Sequence, residues 1–171
     1  MENEMSDFDQ IMEIKNDPTK SKYDKEQELY TIASYTDEHA ALDALSKIRG
    51  GEIKMAVAEN EDCPENLMRK LAKDRSGEVR KVVARNPSAP HDVLRELAGD
   101  NNEVKSWLAM NTNLPEDIAT ILSYEKFKDT LYHLLDNPKC PQSVHDRLGS
   151  IDKYKGRAYW GGYYTGPHYI R

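Results

Sequence analysis

At 171 residues, with 32% charged and 38% hydrophobic side chains, the chain suits one compact domain or one short repeat array. No apolar run approaches the ~20 residues that span a bilayer, and the acidic opening MENEMSDFDQ lacks the basic-then-apolar order of a secretory signal, so a cytoplasmic location is expected. Two cysteines, Cys63 and Cys140, are too few for a disulfide framework or a zinc cluster, and a net charge of −6 weighs against a phosphate-binding surface.

Residues 1–32 carry nine acids against four bases, and residues 1–33 read as an acidic N-terminal helical cap. From there the chain repeats. The pattern Asn-x-x-x-Pro occurs at Asn60–Pro64, Asn86–Pro90, Asn111–Pro115 and Asn137–Pro141, with successive asparagines 26, 25 and 26 residues apart. Stepping back one period from Asn60 reaches Ser34, followed by Ala41, Leu42 and Leu45, a degenerate first unit without the Asn or the Pro. Gly50-Gly51 then breaks the chain before a helix over Ile53 to Ala58.

The apolar residues keep the same register. After each proline come Leu67, Met68 and Leu71; Val93, Leu94 and Leu97; Ile118, Ala119 and Leu122; Val144 and Leu148. Their spacing puts them on one helical face. A second set precedes each asparagine: Ile53 and Val57, Val79 and Val83, Val104 and Leu108, then Leu134. Each unit is therefore two short helices, the first opening with Pro at its first helical position. Such a unit cannot bury its stripe alone, so the units must stack. The expected fold is all-α: a right-handed α-solenoid of about five two-helix repeats over residues 34–150, with a period of 25–26.

The run from Ala84 to Asp100, with Val79-Arg80 before it, has the form Ala-x-Asn-x-x-x-Pro-x-x-Val-Leu-x-x-Leu-Ala-x-Asp. It resembles the variant leucine-rich repeat, one of the HEAT-like helical solenoids, and the resemblance covers residues 34–149. It implies a right-handed superhelix of paired short helices, with a 3₁₀ helix allowed as one member of the pair. Some members carry a cysteine-rich iron–sulfur segment before the repeats. This chain has no cysteine before Cys63, so no cofactor is implied. The family is defined by architecture and not by one activity.

Within the repeats the asparagines read as turn residues that satisfy backbone groups between helices. Cys63 and Cys140 occupy the slot before proline that Ala89 and Leu114 fill elsewhere. That equivalence assigns them a packing role, three units apart and beyond disulfide reach. The basic column Lys54, Arg80 and Lys105 reads either as part of an acid–base ladder between units or as a ligand-facing row. The ladder is favoured for Arg80, which Asp74 precedes by six residues. Trp107 replaces Ala56, Val82 and His133 in its column and either fills a gap or projects as an interface anchor. Lys81 and Arg85 read as surface charges that could be reversed at little cost in stability.

Residues 151–171 form a basic tail with four bases against one acid, and half of the ten tyrosines lie in it. Its glycines and aromatics, Tyr159, Trp160, Tyr163 and Tyr164 among them, give poor helix propensity. Such a tail could stack on nucleic acid, order on a protein partner or fold back on the last repeat.

The five histidines have no metal-ligand spacing, and no nucleophile–base arrangement or phosphate loop is present. The expected function is a non-enzymatic module that binds another protein, without cofactor, metal, membrane or small-molecule substrate. The second helix of each unit would present Lys54, Arg80, Lys81, Arg85, Lys105, Trp107, Met110 and Tyr132 on a concave face, with Tyr159, Trp160, Tyr163 and Tyr164 added from the tail. Nucleic-acid binding by the same basic stretch and tail is the alternative.

Overall fold

The computed structural model describes residues 5–151, which contain eleven α-helices and no strand. They are α1 (Asp7–Asn16), α2 (Lys22–Tyr35), α3 (His39–Ser46), α4 (Gly51–Glu59), α5 (Glu65–Leu71), α6 (Gly77–Arg85), α7 (His91–Leu97), α8 (Asn102–Leu108), α9 (Glu116–Leu122), α10 (Lys128–Asp136) and α11 (Gln142–Gly149). No 3₁₀ helix replaces either member of a pair among them. None is long and apolar enough to cross a membrane.

Helices α1 and α2 start in the same way. Ser6 and Ser21 each accept from the backbone N–H three residues on and donate to that residue's carboxylate, Asp9 and Asp24. This reciprocal cap satisfies donors the first turn leaves open. Helices α5, α7, α9 and α11 start at proline instead. Pro64, Pro90, Pro115 and Pro141 sit at the N-cap with extended backbone, one place earlier than the sequence pattern predicts. The position suits them, because an N-cap contributes its carbonyl to the helix and needs no N–H. Gly50, before α4, has φ +142°, a conformation that strains any residue with a Cβ.

The stripes predicted from sequence are the buried ones. Leu67, Met68 and Leu71, then Val93, Leu94 and Leu97, then Ile118, Ala119 and Leu122 lie in one continuous core with Ile53, Val57, Val79, Val83, Val104, Leu108 and Leu134. Helices of seven residues, such as α5, α7 and α9, are too short to persist alone in water. Their stability comes from this burial. Helices α2, α4, α6, α8 and α10 pack each against the next in a continuous row, and α5 and α7 each bridge two neighbours of that row.

The asparagines bind one unit to another. Asn86 donates from Nδ2 to the carbonyls of Ala58 at 2.8 Å and Asn60 at 3.1 Å, while its Oδ1 accepts from the Ser88 N–H. Asn111 repeats this with Ala84, Asn86 and Asn113, and Asn137 with Ala109, Asn111 and Lys139. All four asparagines are buried, so the side chains replace water for main-chain groups that would otherwise be stranded. The alanine two places before each of Asn60, Asn86 and Asn111 is itself fully buried.

The first turn departs from the sequence pattern. Asn60 donates to the carbonyls of Ala33 and Thr36, and Thr36 Oγ1 accepts from the Glu38 N–H as the asparagine Oδ1 does elsewhere. Thr36, not Ser34, is thus the counterpart of the repeated asparagine. Its turn is shorter than the later ones, with Glu38 at the N-cap of α3. The boundary expected between residues 33 and 34 therefore falls inside α2, which is the first helix of the packed row.

Candidate functional site

Three of the basic residues singled out from the sequence are held in ion pairs between helical units. Lys54 Nζ lies 2.7 Å from Asp74, Arg80 Nε 2.6 Å from Asp100 and Lys105 Nζ 2.8 Å from Glu125. Each acid follows its base by twenty residues. Arg80 is bidentate on Asp100 and also donates to the backbone carbonyl of Asp74, so the pairs link into a ladder. Hydrogen bonds from Lys54 and Arg80 hold the Asp74 and Asp100 carboxyls below the usual carboxylate range. In the last unit the same positions are Leu131 and Ile151, both packed in or against the core. A second, more exposed ladder runs from Arg69 to Asp92 and from Arg95 to Asp117.

Lys81 is not the surface charge its sequence context suggests. Its side chain is 13% exposed, with Glu78 at 2.7 Å and Glu103 at 3.4 Å. Those acids push its pKa above the ordinary lysine value, the bond from Glu78 contributing most. Reversing its charge would leave three acids together in a half-buried site. Arg85 is exposed, and among the described residues it forms no ion pair.

Trp107, on α8, is half-buried and packed against the core. One part of its ring fills space beside Val82, while Lys81 Nζ and the Arg85 guanidinium stand 5.7 Å and 5.6 Å from the ring centre. The ring borders a cleft of about 180 Å³ lined by Glu59, Glu61, Val82, Arg85, Asn86, Pro87 and Trp107. The cleft lies where α4 and α6 end, beside the asparagine turns. Its size suits one or two side chains and not a drug-sized ligand.

Glu59 and Glu61 are not among the residues drawn from the sequence. Glu59 is the last residue of α4, where the helix dipole disfavours an acid, and the equivalent residue of the next unit is Arg85. Among the described residues neither glutamate has an ion-pair partner. Two unpaired acids at an unfavourable helix end are the signal a register-by-register comparison offers. Met110 and Tyr132 are half-buried and do not line the cleft. Tyr159, Trp160, Tyr163 and Tyr164 lie outside the described residues.

Cys63 is buried and Cys140 half-buried, and both thiols are free. Burial pushes the Cys63 thiol up to about 12 and the Cys140 thiol to about 11, so neither is an activated nucleophile.

Among the described residues these features define an all-helical fold with an aromatic cleft on its packed row of helices. No protein-family model, curated protein or solved structure matches the chain.

Proposed function

We propose that the chain is a protein-binding module, built as a short right-handed α-solenoid of the variant leucine-rich repeat kind, which recognises its partner at the Trp107 cleft. The observation that carries this reading is the cleft itself. Trp107 is anchored in the core on one side and borders an opening lined by charges of both signs. Fixed, half-buried aromatic rings in small pockets are the usual energetic centres of protein interfaces. Around this one the cations split into two groups. Lys54, Arg80 and Lys105 hold the units together, while the cleft stays open between Arg85 and the two glutamates.

The engagement of those cations also weighs against the nucleic-acid alternative, which needs them free for phosphate. Generic DNA and RNA should bind weakly if at all, with a shallow dependence on salt.

Quantitative capture from a host lysate tests the reading. Full-length protein is compared with Trp107→Leu, which keeps apolar packing but removes the ring face, and with Tyr124→Ala, a change at an exposed ring that does not line the cleft. A binding module of this kind loses one or more captured proteins with Trp107→Leu and keeps them with Tyr124→Ala. Identical capture by all three removes the cleft from consideration.

A further inference from the structure

Charges of both signs border the Trp107 cleft, but in unequal number. Glu59 stands at the end of α4, Glu61 just beyond it, and Arg85 at the end of α6. Lys81, 5.7 Å from the ring centre, is already shared between Glu78 and Glu103, and Arg80 is paired with Asp100. Glu59, Glu61, Glu78 and Glu103 thus outnumber Arg85 and Lys81 around the ring. The acid pair is particular to this turn. Glu59 and Glu61 flank Asn60, whereas Arg85 and Pro87 flank Asn86, Met110 and Thr112 flank Asn111, and Asp136 and Pro138 flank Asn137. The cleft also lies at the C-terminal ends of α4 and α6, where helix dipoles favour cations.

We propose that the cleft receives one arginine side chain from the partner protein, its guanidinium between Glu59 and Glu61 and against the accessible part of the Trp107 ring. The inference rests on the reading of the cleft as a recognition site and names the chemistry it recognises.

Other side chains fit less well. An acidic one would gain Arg85 alone and meet two carboxylates and two helix C-termini. An apolar one would cover Glu59 and Glu61 without giving them a donor, and desolvating unpaired charges is costly. Lysine supplies charge, but its ammonium is a compact, strongly hydrated point. A planar guanidinium stacks on an indole and forks to carboxylates at once. The methylenes of an arginine also have Val82 and Pro87 to lie along, and a cleft of about 180 Å³ holds one such chain. Arg85 opposes the incoming charge, but it is exposed, and among the described residues no ion pair holds it in place.

A randomised heptapeptide library displayed on phage is the probe. The full-length protein should enrich arginine at one position of the bound sequences roughly tenfold over the library, the scale of one charge-assisted contact. Trp107→Leu should lose that enrichment, and so should the neutral pair Glu59→Gln with Glu61→Gln. Charge reversal by Glu59→Lys with Glu61→Lys should select aspartate or glutamate instead. Both pairs change exposed side chains, and circular dichroism checks that each variant keeps its helices. Bound sequences without arginine enrichment, or with lysine enriched as strongly as arginine, overturn the proposal. An arginine enrichment that survives in the neutral pair overturns it as well. If lysate capture depends on Trp107 while the library yields no arginine, the arginine assignment fails and the recognition site stands. If capture is also unchanged by Trp107→Leu, both fail.

Discussion

The side-chain amide of Asn111 donates to the carbonyl of Asn86 at 2.9 Å, and the amide of Asn137 donates to the carbonyl of Asn111 at 2.8 Å. Each asparagine is thus held by a main-chain group of the one before it. Replacing Asn111 by alanine strands the buried carbonyls of Ala84 and Asn86 and removes the partner of the Asn113 N–H. The expected loss is about 2–4 kcal/mol, from the penalty for unpaired buried groups, measured by urea denaturation. Asn111→Asp should be at least as damaging, because it turns two donors into an acceptor facing two carbonyls. Thr112→Ala, at the exposed neighbouring position, is the control, and equal losses in Asn111→Ala and Thr112→Ala would not fit.

The two ion-pair ladders should differ in worth. Arg80 and Asp100 are 19% and 16% exposed, whereas Arg69 and Asp92 are 43% and 60% exposed. Arg80→Met leaves a largely enclosed carboxylate and should cost about 2 kcal/mol, while Arg69→Met should cost less than about 1 kcal/mol. Melting temperatures of the two variants check the order, and equal losses would contradict it.

Acid should weaken the fold through the same pairs. The Asp74 and Asp100 carboxyls are held below the ordinary range by hydrogen bonds from Lys54 and Arg80. A depressed folded-state pKa gives stability that is complete above the unfolded value of about 3.9 and is lost as pH falls through the folded value. Melting temperature should therefore hold near neutrality and fall on acidification below about pH 4. Asp100→Asn should flatten part of that fall.

The thiols provide a local probe of packing. Cys63 is buried and Cys140 half-buried, with both pKa values raised by burial. A thiol reagent at mildly alkaline pH should modify Cys140 before Cys63. Reaction of Cys63 at the rate of a free peptide thiol would contradict its placement.

The helices are legible in the sequence because asparagine, proline and the apolar stripes recur at one period, and a period survives changes in individual residues. Thr36 escapes because its turn is shorter and a hydroxyl stands in for the amide, so both spacing and residue type differ. The ladder is visible as acids and bases near one another in sequence. Its pairing is not, since Arg80 passes over nearby Asp74's carboxylate to reach Asp100, twenty residues on. The cleft is half legible. Trp107 stands out as a large residue in a column of smaller ones, but Glu59 and Glu61 lie at and just after the end of α4, two row helices before α8, and meet it only through stacking.

The most direct test of the cleft as a recognition site sets stability against binding in one variant. Glu59 and Glu61 are exposed, and Glu59 sits at the end of α4 that disfavours an acid. Glu59→Lys with Glu61→Lys should leave the melting temperature unchanged or slightly higher, because cations suit a helix C-terminus by about 0.3–1 kcal/mol. The captured partner's affinity, measured by calorimetry on the same preparation, should fall at least about tenfold, equivalent to about 1.4 kcal/mol. An unchanged affinity, or a loss of affinity that accompanies a lower melting temperature, would contradict the account.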